Sequence, residues 1–185
     1  MEEVVVTGMG CVSALGNTPE ILWENLLAGK SGVTTITHFD TSAYEVHFAA
    51  EVKEFDASPY FSDRDQKRYS RNIQYAVSAA SDAVKNSGLN VDSLDKSRAG
   101  VILASGMGGM DVYYDTSATL ANKGPRRVSP FFIPMAITNM AAGEVSIRFG
   151  FMGPNFTTTS ACASSNHALI AAADQIRLGR ADVML

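Results

Sequence analysis

Short β-branched runs separated by longer stretches of helical period constrain this chain most, because that alternation is how parallel α/β units are written in a sequence. Strands are expected over 3–7, 98–104, 156–159 and 181–185. The first helix is expected over 19–28, with Thr18 as N-cap, Pro19 at the first helical position and Gly29 just past the end. A second, longer helix is expected over 63–87, where Ser62 and Asp65 resemble a capping box and Gly88 is the stop. Further helices are expected near 110–122, 135–148 and 163–178. The polar and aromatic stretch 34–60 has no clear period, and 124–134 carries three prolines, so both read as loops. With no internal repeat and no linker, residues 1–185 read as one α/β domain. Its end is odd: Gly179-Arg180-Ala181-Asp182 looks like a helix stop and a strand start, yet the sequence halts at Val183-Met184-Leu185. An apolar strand needs neighbours on both sides. The expectation is therefore the first part of a longer protein, cut within its fourth core strand.

Composition narrows the function. The 185 residues are 46% hydrophobic, enough for a sizeable core. Fifteen Lys and Arg against 19 Asp and Glu give a net charge of −4, which argues against general affinity for nucleic acid or anionic membrane. No apolar run approaches the roughly 18 residues of a membrane span, and the start, MEEVVVTG, lacks the features of a signal peptide. A soluble, unexported protein is expected. Cys11 and Cys162 lie far apart without metal-ligand spacing, so neither a disulfide framework nor a metal site is expected. The Asn155-Phe156-Thr157 sequon is then incidental.

Two phosphate-loop lookalikes fail on counting. Gly29-Lys30-Ser31 has Glu24 where a P-loop needs its first glycine, and it follows a helix instead of opening one. Gly8-x-Gly10 has Ser13 at the third fingerprint position, so glycines at a tight strand exit explain it better. The Gly106-Met107-Gly108-Gly109 turn after the second strand implies a close backbone approach, for which packing is the commoner reason. Met107 there is also well placed to line a pocket for something apolar and variable in length. On a continuous helix from Asp63, Lys67, Arg68 and Arg71 fall within roughly 60° of Arg64, opposite an apolar face of Tyr69, Ile73, Ala76, Val77, Ala80 and Val84. Such a stripe is usually a solvated face. With Arg126 and Arg127, however, it gives an acidic protein six basic residues in two compact groups, which suits an acidic partner.

The strongest chemical signal is Thr157-Thr158-Thr159-Ser160-Ala161-Cys162-Ala163-Ser164-Ser165. A β-branched strand runs into small residues, and Leu169, Ala172, Ala173 and Ile176 then mark a helix face that ends at Gly179. Cys162 sits at the junction, where unpaired amides and the helix dipole favour a thiolate and an oxyanion, in a geometry that resembles a nucleophile elbow. The competing reading is a small apolar residue packed at a crowded turn. His167 is a poor base for Cys162, because five helical residues leave the two side chains roughly 140° apart. It reads as structural, His38 and His47 have no assignable role, and Cys11 reads as strand-exit packing.

Four motifs in register resemble the elongating beta-ketoacyl-acyl carrier protein synthases, in the manner of synthase II. They are Val4-Val5-Val6-Thr7-Gly8-Met9-Gly10, His38-Phe39-Asp40-Thr41-Ser42, the segment from Gly124-Pro125-Arg126-Arg127 to Phe131-Phe132-Ile133-Pro134, and Ser160-Ala161-Cys162. The resemblance covers essentially the whole chain. It implies a thiolase-like fold of two similar α/β halves, this chain supplying most of the first, with a mostly parallel sheet flanked by helices. It further implies that Cys162 is the nucleophile that takes an acyl group from the phosphopantetheine thioester of acyl carrier protein, no other cofactor being bound. Met107 would gate the acyl pocket, and Phe132 and Ile133 would reach the pocket of the second subunit of a homodimer. Arg64, Lys67, Arg68, Arg126 and Arg127 would form the surface for the acidic carrier. The acyl-enzyme would condense with a carbanion from decarboxylated malonyl-acyl carrier protein, in bacterial cytoplasm or a plastid.

In that family the catalytic histidines, their lysine and the second oxyanion amide lie downstream of Leu185. Decarboxylation needs donors for the developing enolate, so these residues alone are expected not to condense. Two rivals stand beside this reading: a non-catalytic carrier-binding or assembly half completed by a second chain, and a thiol hydrolase that lacks a well-placed base.

Overall fold

The structure is a computed structural model and describes residues 3–185. Helix α1 (Pro19–Leu27) begins where Thr18 accepts from the Ile21 amide at 3.3 Å. It ends at Gly29, whose φ of +64° lets the Gly29 and Lys30 amides bond back to Leu26 and Asn25, both at 3.0 Å. Stretch 34–60 is mostly irregular, with strands β1 (Thr34–Thr35) and β2 (Phe48–Ala49) forming a short antiparallel pair. Buried Glu51 anchors it by accepting from the Thr37 and His38 amides and the Thr37 hydroxyl.

The remainder is built on β3 (Ala99–Ala104), the centre of a parallel sheet of order β4-β3-β5, with β4 at Asn155–Thr158 and β5 at Val183–Met184. Around it lie α2 (Asp63–Gln66), α3 (Arg71–Ser87), α4 (Met110–Lys123), α5 (Phe132–Ala136), α6 (Met140–Phe149) and α7 (Ser164–Arg177). Ala99, Val101 and Leu103 share one face of β3 because alternate residues point the same way. They pack with Ile73, Val77 and Ala80 of α3 and Ala141, Ala142 and Val145 of α6. The other face carries α7. No helix among the described residues is long and apolar enough to cross a membrane.

The architecture is the expected parallel α/β one, with three differences in detail. Residues 3–7 form no strand: β3 already has β4 and β5 on its two edges, and Val5 and Val6 lie exposed. The residues that follow run along α3, where the Met9 amide donates to Asn86 Oδ1 at 3.0 Å. A Cβ on Gly8 would stand 2.2 Å from the Ala83 carbonyl oxygen and one on Gly10 2.0 Å from that of Ala79, so these glycines permit helix contact and not a strand exit.

The helix expected over 63–87 is two helices, α2 and α3, broken around Lys67–Ser70. Buried Gln74 donates from Nε2 to the carbonyls of Gln66 and Tyr69, both at 2.9 Å, and so takes up acceptors that a continuous helix would have used. Likewise, the helix expected near 135–148 is divided into α5 and α6. The carbonyls that would continue α5 are taken from outside it, that of Met135 by the Ser70 hydroxyl at 2.7 Å and that of Ala136 by the Gly109 amide at 3.0 Å.

Candidate active site

The carboxyl ends of β3 and β4 lie side by side, and the loops that leave them meet. Such an end is where parallel α/β sheets place ligands. From β4 the chain passes through Thr159 and Ser160 into a left-handed residue, Ala161, with φ of +49°, then Cys162, and enters α7 at Ser164. A non-glycine residue in that region costs about 1–2 kcal/mol, so the bend has to be held by its surroundings. The hydroxyl of Ser164, itself 4% exposed, accepts from the Ser160 amide at 2.6 Å and donates to the Ala161 carbonyl at 2.7 Å. Thr158 Oγ1 donates to the Ser164 carbonyl at 2.8 Å. The Cys162 side chain is exposed at the apex of this bend, so the buried-packing reading of that residue is set aside.

His167 pairs through Nδ1 with Ser160 Oγ at 2.7 Å, on the strand side of the bend. Its ring contact is with Ser160. Cys11 is half-buried, and burial, followed by the charges of Glu20 and Asp82, pushes its thiol up from the ordinary range.

From β3 the chain enters the Gly106–Gly109 turn, which is tied to the cysteine bend through Ser105. Its carbonyl accepts from Thr159 Oγ1 at 2.9 Å, and its own hydroxyl accepts from the Gly108 amide at 2.9 Å. Packing accounts for Gly108 and Gly109: Gly108 has φ of +72° and a Cβ on it would stand 2.2 Å from the Ala136 oxygen, and one on Gly109 would stand 2.5 Å from that of Met135, whereas Gly106 faces open space. The turn thus joins the cysteine bend to α5, so Met107, Phe132 and Ile133 belong to one connected end of the molecule. Met107 and Ile133 are exposed, whereas Phe132 is half-buried edge-on against Tyr113 at 5.4 Å.

The basic residues do not form one helical stripe, because α2 and α3 are separate helices. Arg64 lies in α2, Lys67 and Arg68 in the break, and Arg71 opens α3. The break nevertheless links the two groups: the Arg68 guanidinium lies 5.2 Å from the centre of the Phe131 ring, in the loop that follows Arg126 and Arg127. Arg127 also lines an open hollow of about 620 Å³ with Thr119 and Lys123. Lys123, the last residue of α4 and beside Gly124-Pro125-Arg126-Arg127, adds a basic residue that the sequence stripe does not contain.

The apolar face of α7 is not the one it buries. Its buried residues are Ser164 and Ala168, while Leu169, on the apolar helix face that the period marks, is 66% exposed. Composition treats Ser164 only as a small residue, although a serine just after a strand-to-helix bend is a signal for backbone bracing.

The family model described as "Beta-ketoacyl synthase, N-terminal domain" matches residues 1–185. The chain is 44% identical over 182 residues to the 3-oxoacyl-[acyl-carrier-protein] synthase 2 of Vibrio cholerae, covering 98% of this chain and 44% of that one. It is 42% identical over 184 residues to the protein of the same name from Staphylococcus aureus, covering 100% of this chain and 44% of that one. Among solved structures, the ishigamide ketosynthase/chain length factor superposes with a TM-score of 0.89 at 28% identity, over 97% of this chain and 45% of that one. The chain thus spans less than half the length of these relatives, and its fold is the thiolase-like one of the ketosynthases.

Proposed function

The chain belongs to the beta-ketoacyl synthase family, as its N-terminal domain, and on that premise we propose that Cys162 is the acyl-accepting nucleophile of a 3-oxoacyl-[acyl-carrier-protein] synthase of fatty acid elongation. The observation that carries this reading is the exposed Cys162 thiol at a left-handed bend between a parallel strand and a helix. In the proposed step the Cys162 thiolate attacks the carbonyl carbon of an acyl thioester on the phosphopantetheine of acyl carrier protein. A new carbon–sulfur bond forms, the old one breaks, and the carrier's thiol leaves with a proton. The acyl-enzyme then meets a carbanion formed as malonyl-acyl carrier protein loses carbon dioxide, and Cys162 departs as the carbon–carbon bond closes.

The second half of that sequence needs donors at the developing enolate. Here His38 faces Glu51, His47 bonds Thr41 and His167 bonds Ser160. These 185 residues alone are therefore proposed to accept an acyl group without condensing it. In the entire protein Met107 gates the acyl chain, Phe132 and Ile133 reach the pocket of the second protomer of a homodimer, and Arg64, Lys67, Arg68, Arg126 and Arg127 receive the acidic carrier. The exposure of Arg64, Lys67, Arg126 and Arg127 and the link that half-buried Arg68 makes to Phe131 between the two groups support the last assignment.

The test is intact mass spectrometry of the chain before and after incubation with a medium-chain acyl-acyl carrier protein. A gain of one acyl group that Cys162→Ser abolishes is expected. A folded chain that gains no mass would overturn independent acylation and favour a non-catalytic half that needs a second chain.

A further inference from the structure

The bonds around the cysteine bend have a direction. A helix cap acts forward, its side chain accepting from amides two or three residues further into the helix. The N-cap of α7, Ala163, has no such side-chain bond. Ser164, the first helical residue, acts backward instead: its hydroxyl accepts from the Ser160 amide and donates to the Ala161 carbonyl, the two residues that precede Cys162. The Ala161 carbonyl also receives the Ser164 amide at 3.1 Å, and the Ser160 carbonyl receives that of Ala163 at 3.1 Å. One buried side chain thus bridges the bend from inside, with the thiol on its outer side. Two further contacts brace the bridge. Thr158 Oγ1 fixes the Ser164 carbonyl to the end of β4, and His167 Nδ1 holds the Ser160 hydroxyl one turn into α7.

We infer that Ser164 is a positioning residue for the Cys162 nucleophile: its buried hydroxyl holds residues 160–161 in the bend that presents the thiol above the first turn of α7. The inference rests on the reading of Cys162 as the acyl acceptor. Its physical basis is that the left-handed Ala161 is unfavourable without bracing, and Ser164 is the side chain that bonds both residues of the bend. Without the hydroxyl the Ser160 amide loses a buried acceptor, and the bend that presents the thiol relaxes.

The experiment uses the two cysteines of one chain. Alkylation by iodoacetamide is followed by mass spectrometry at Cys162 and at half-buried Cys11, which reports the integrity of the fold. In Ser164→Ala, Cys162 is expected to react about tenfold more slowly, the scale of one lost hydrogen bond, with Cys11 unchanged. Ser164→Thr, which keeps the hydroxyl, is expected to recover most of the rate. A Ser164→Ala chain whose Cys162 keeps the parent rate overturns the inference, as does a threonine variant no better than alanine. If alanine instead speeds Cys11, the fold has loosened and Thr158→Val decides, with the same expected slowing at Cys162 and the same overturning result. A parent chain that alkylates with this contrast but takes no acyl group from the carrier thioester would fail the acyl-acceptor reading while leaving the positioning role intact.

Discussion

The two faces of β3 are built differently. On one, Ile73 of α3, Val101 of β3 and Val145 of α6 are fully buried, and the apolar residues of three elements close over one another. On the other, α7 buries only Ser164 and Ala168 and leaves Leu169 and Ile170 66% and 58% exposed. The first face is held by dispersion and the removal of apolar surface from water. Beside the second, the bend that carries Cys162 is held by short directional bonds between serine, threonine and histidine. Stability and exposure are thereby separated: a bend held by hydrogen bonds leaves the thiol open to solvent, whereas a bend held by apolar packing would cover it.

The comparison can be broken most directly by emptying the closed face. Ile73→Ala is expected to cost about 3 kcal/mol in urea unfolding, since it removes a buried side chain from a packed site. A cost under about 1 kcal/mol would mean that this face is not the main store of stability. Next comes Gln74→Ala, expected at about 2 kcal/mol because it strands the carbonyls of Gln66 and Tyr69. Read by the same unfolding curve, it asks whether the α2–α3 break is held by that one amide. Smaller still is the acid limb of stability. Hydrogen bonds from the Thr37 amide hold the Glu51 carboxyl below its usual range, and those from Arg98 do the same for Asp182. Their folded values lie below their unfolded ones, so their contributions are present above about pH 4 and are lost as pH falls through the folded values. Asp182→Asn is expected to flatten the decline of thermal midpoint between about pH 4 and pH 2. Least of all, Leu169→Ala on the open face should change stability by no more than about 0.5 kcal/mol. A large loss there would show that the two faces are more alike than their exposure indicates.

Much of the candidate site's geometry was legible because it is written in neighbours. The β-branched run, the small residues and the apolar period after Cys162 lie within 25 residues, and a strand-to-helix junction follows from local preference. So do the Thr18 cap and the glycine stops at Gly29, Gly88 and Gly179, each with positive φ. The basic stripe was misread because a 100° projection assumes an unbroken helix, and the break is made by Gln74 and by the distant Met135 carbonyl that Ser70 bonds. Leu169 was misread because the helical period finds an apolar face without knowing which face the sheet meets.

The sequence by itself determined the alternation of strands and helices, the caps and stops, the family and the cysteine at the bend, since each depends on residues close in the chain or on a pattern of identities. The tertiary structure alone decided that residues 3–7 form no strand and Gly8 and Gly10 lie against α3, that two expected helices are four, and that a buried serine braces the bend. Those outcomes turn on which donor reaches which carbonyl across the fold, as the Ser70 hydroxyl reaches Met135 over 65 residues of chain, and a one-dimensional pattern carries no such distance.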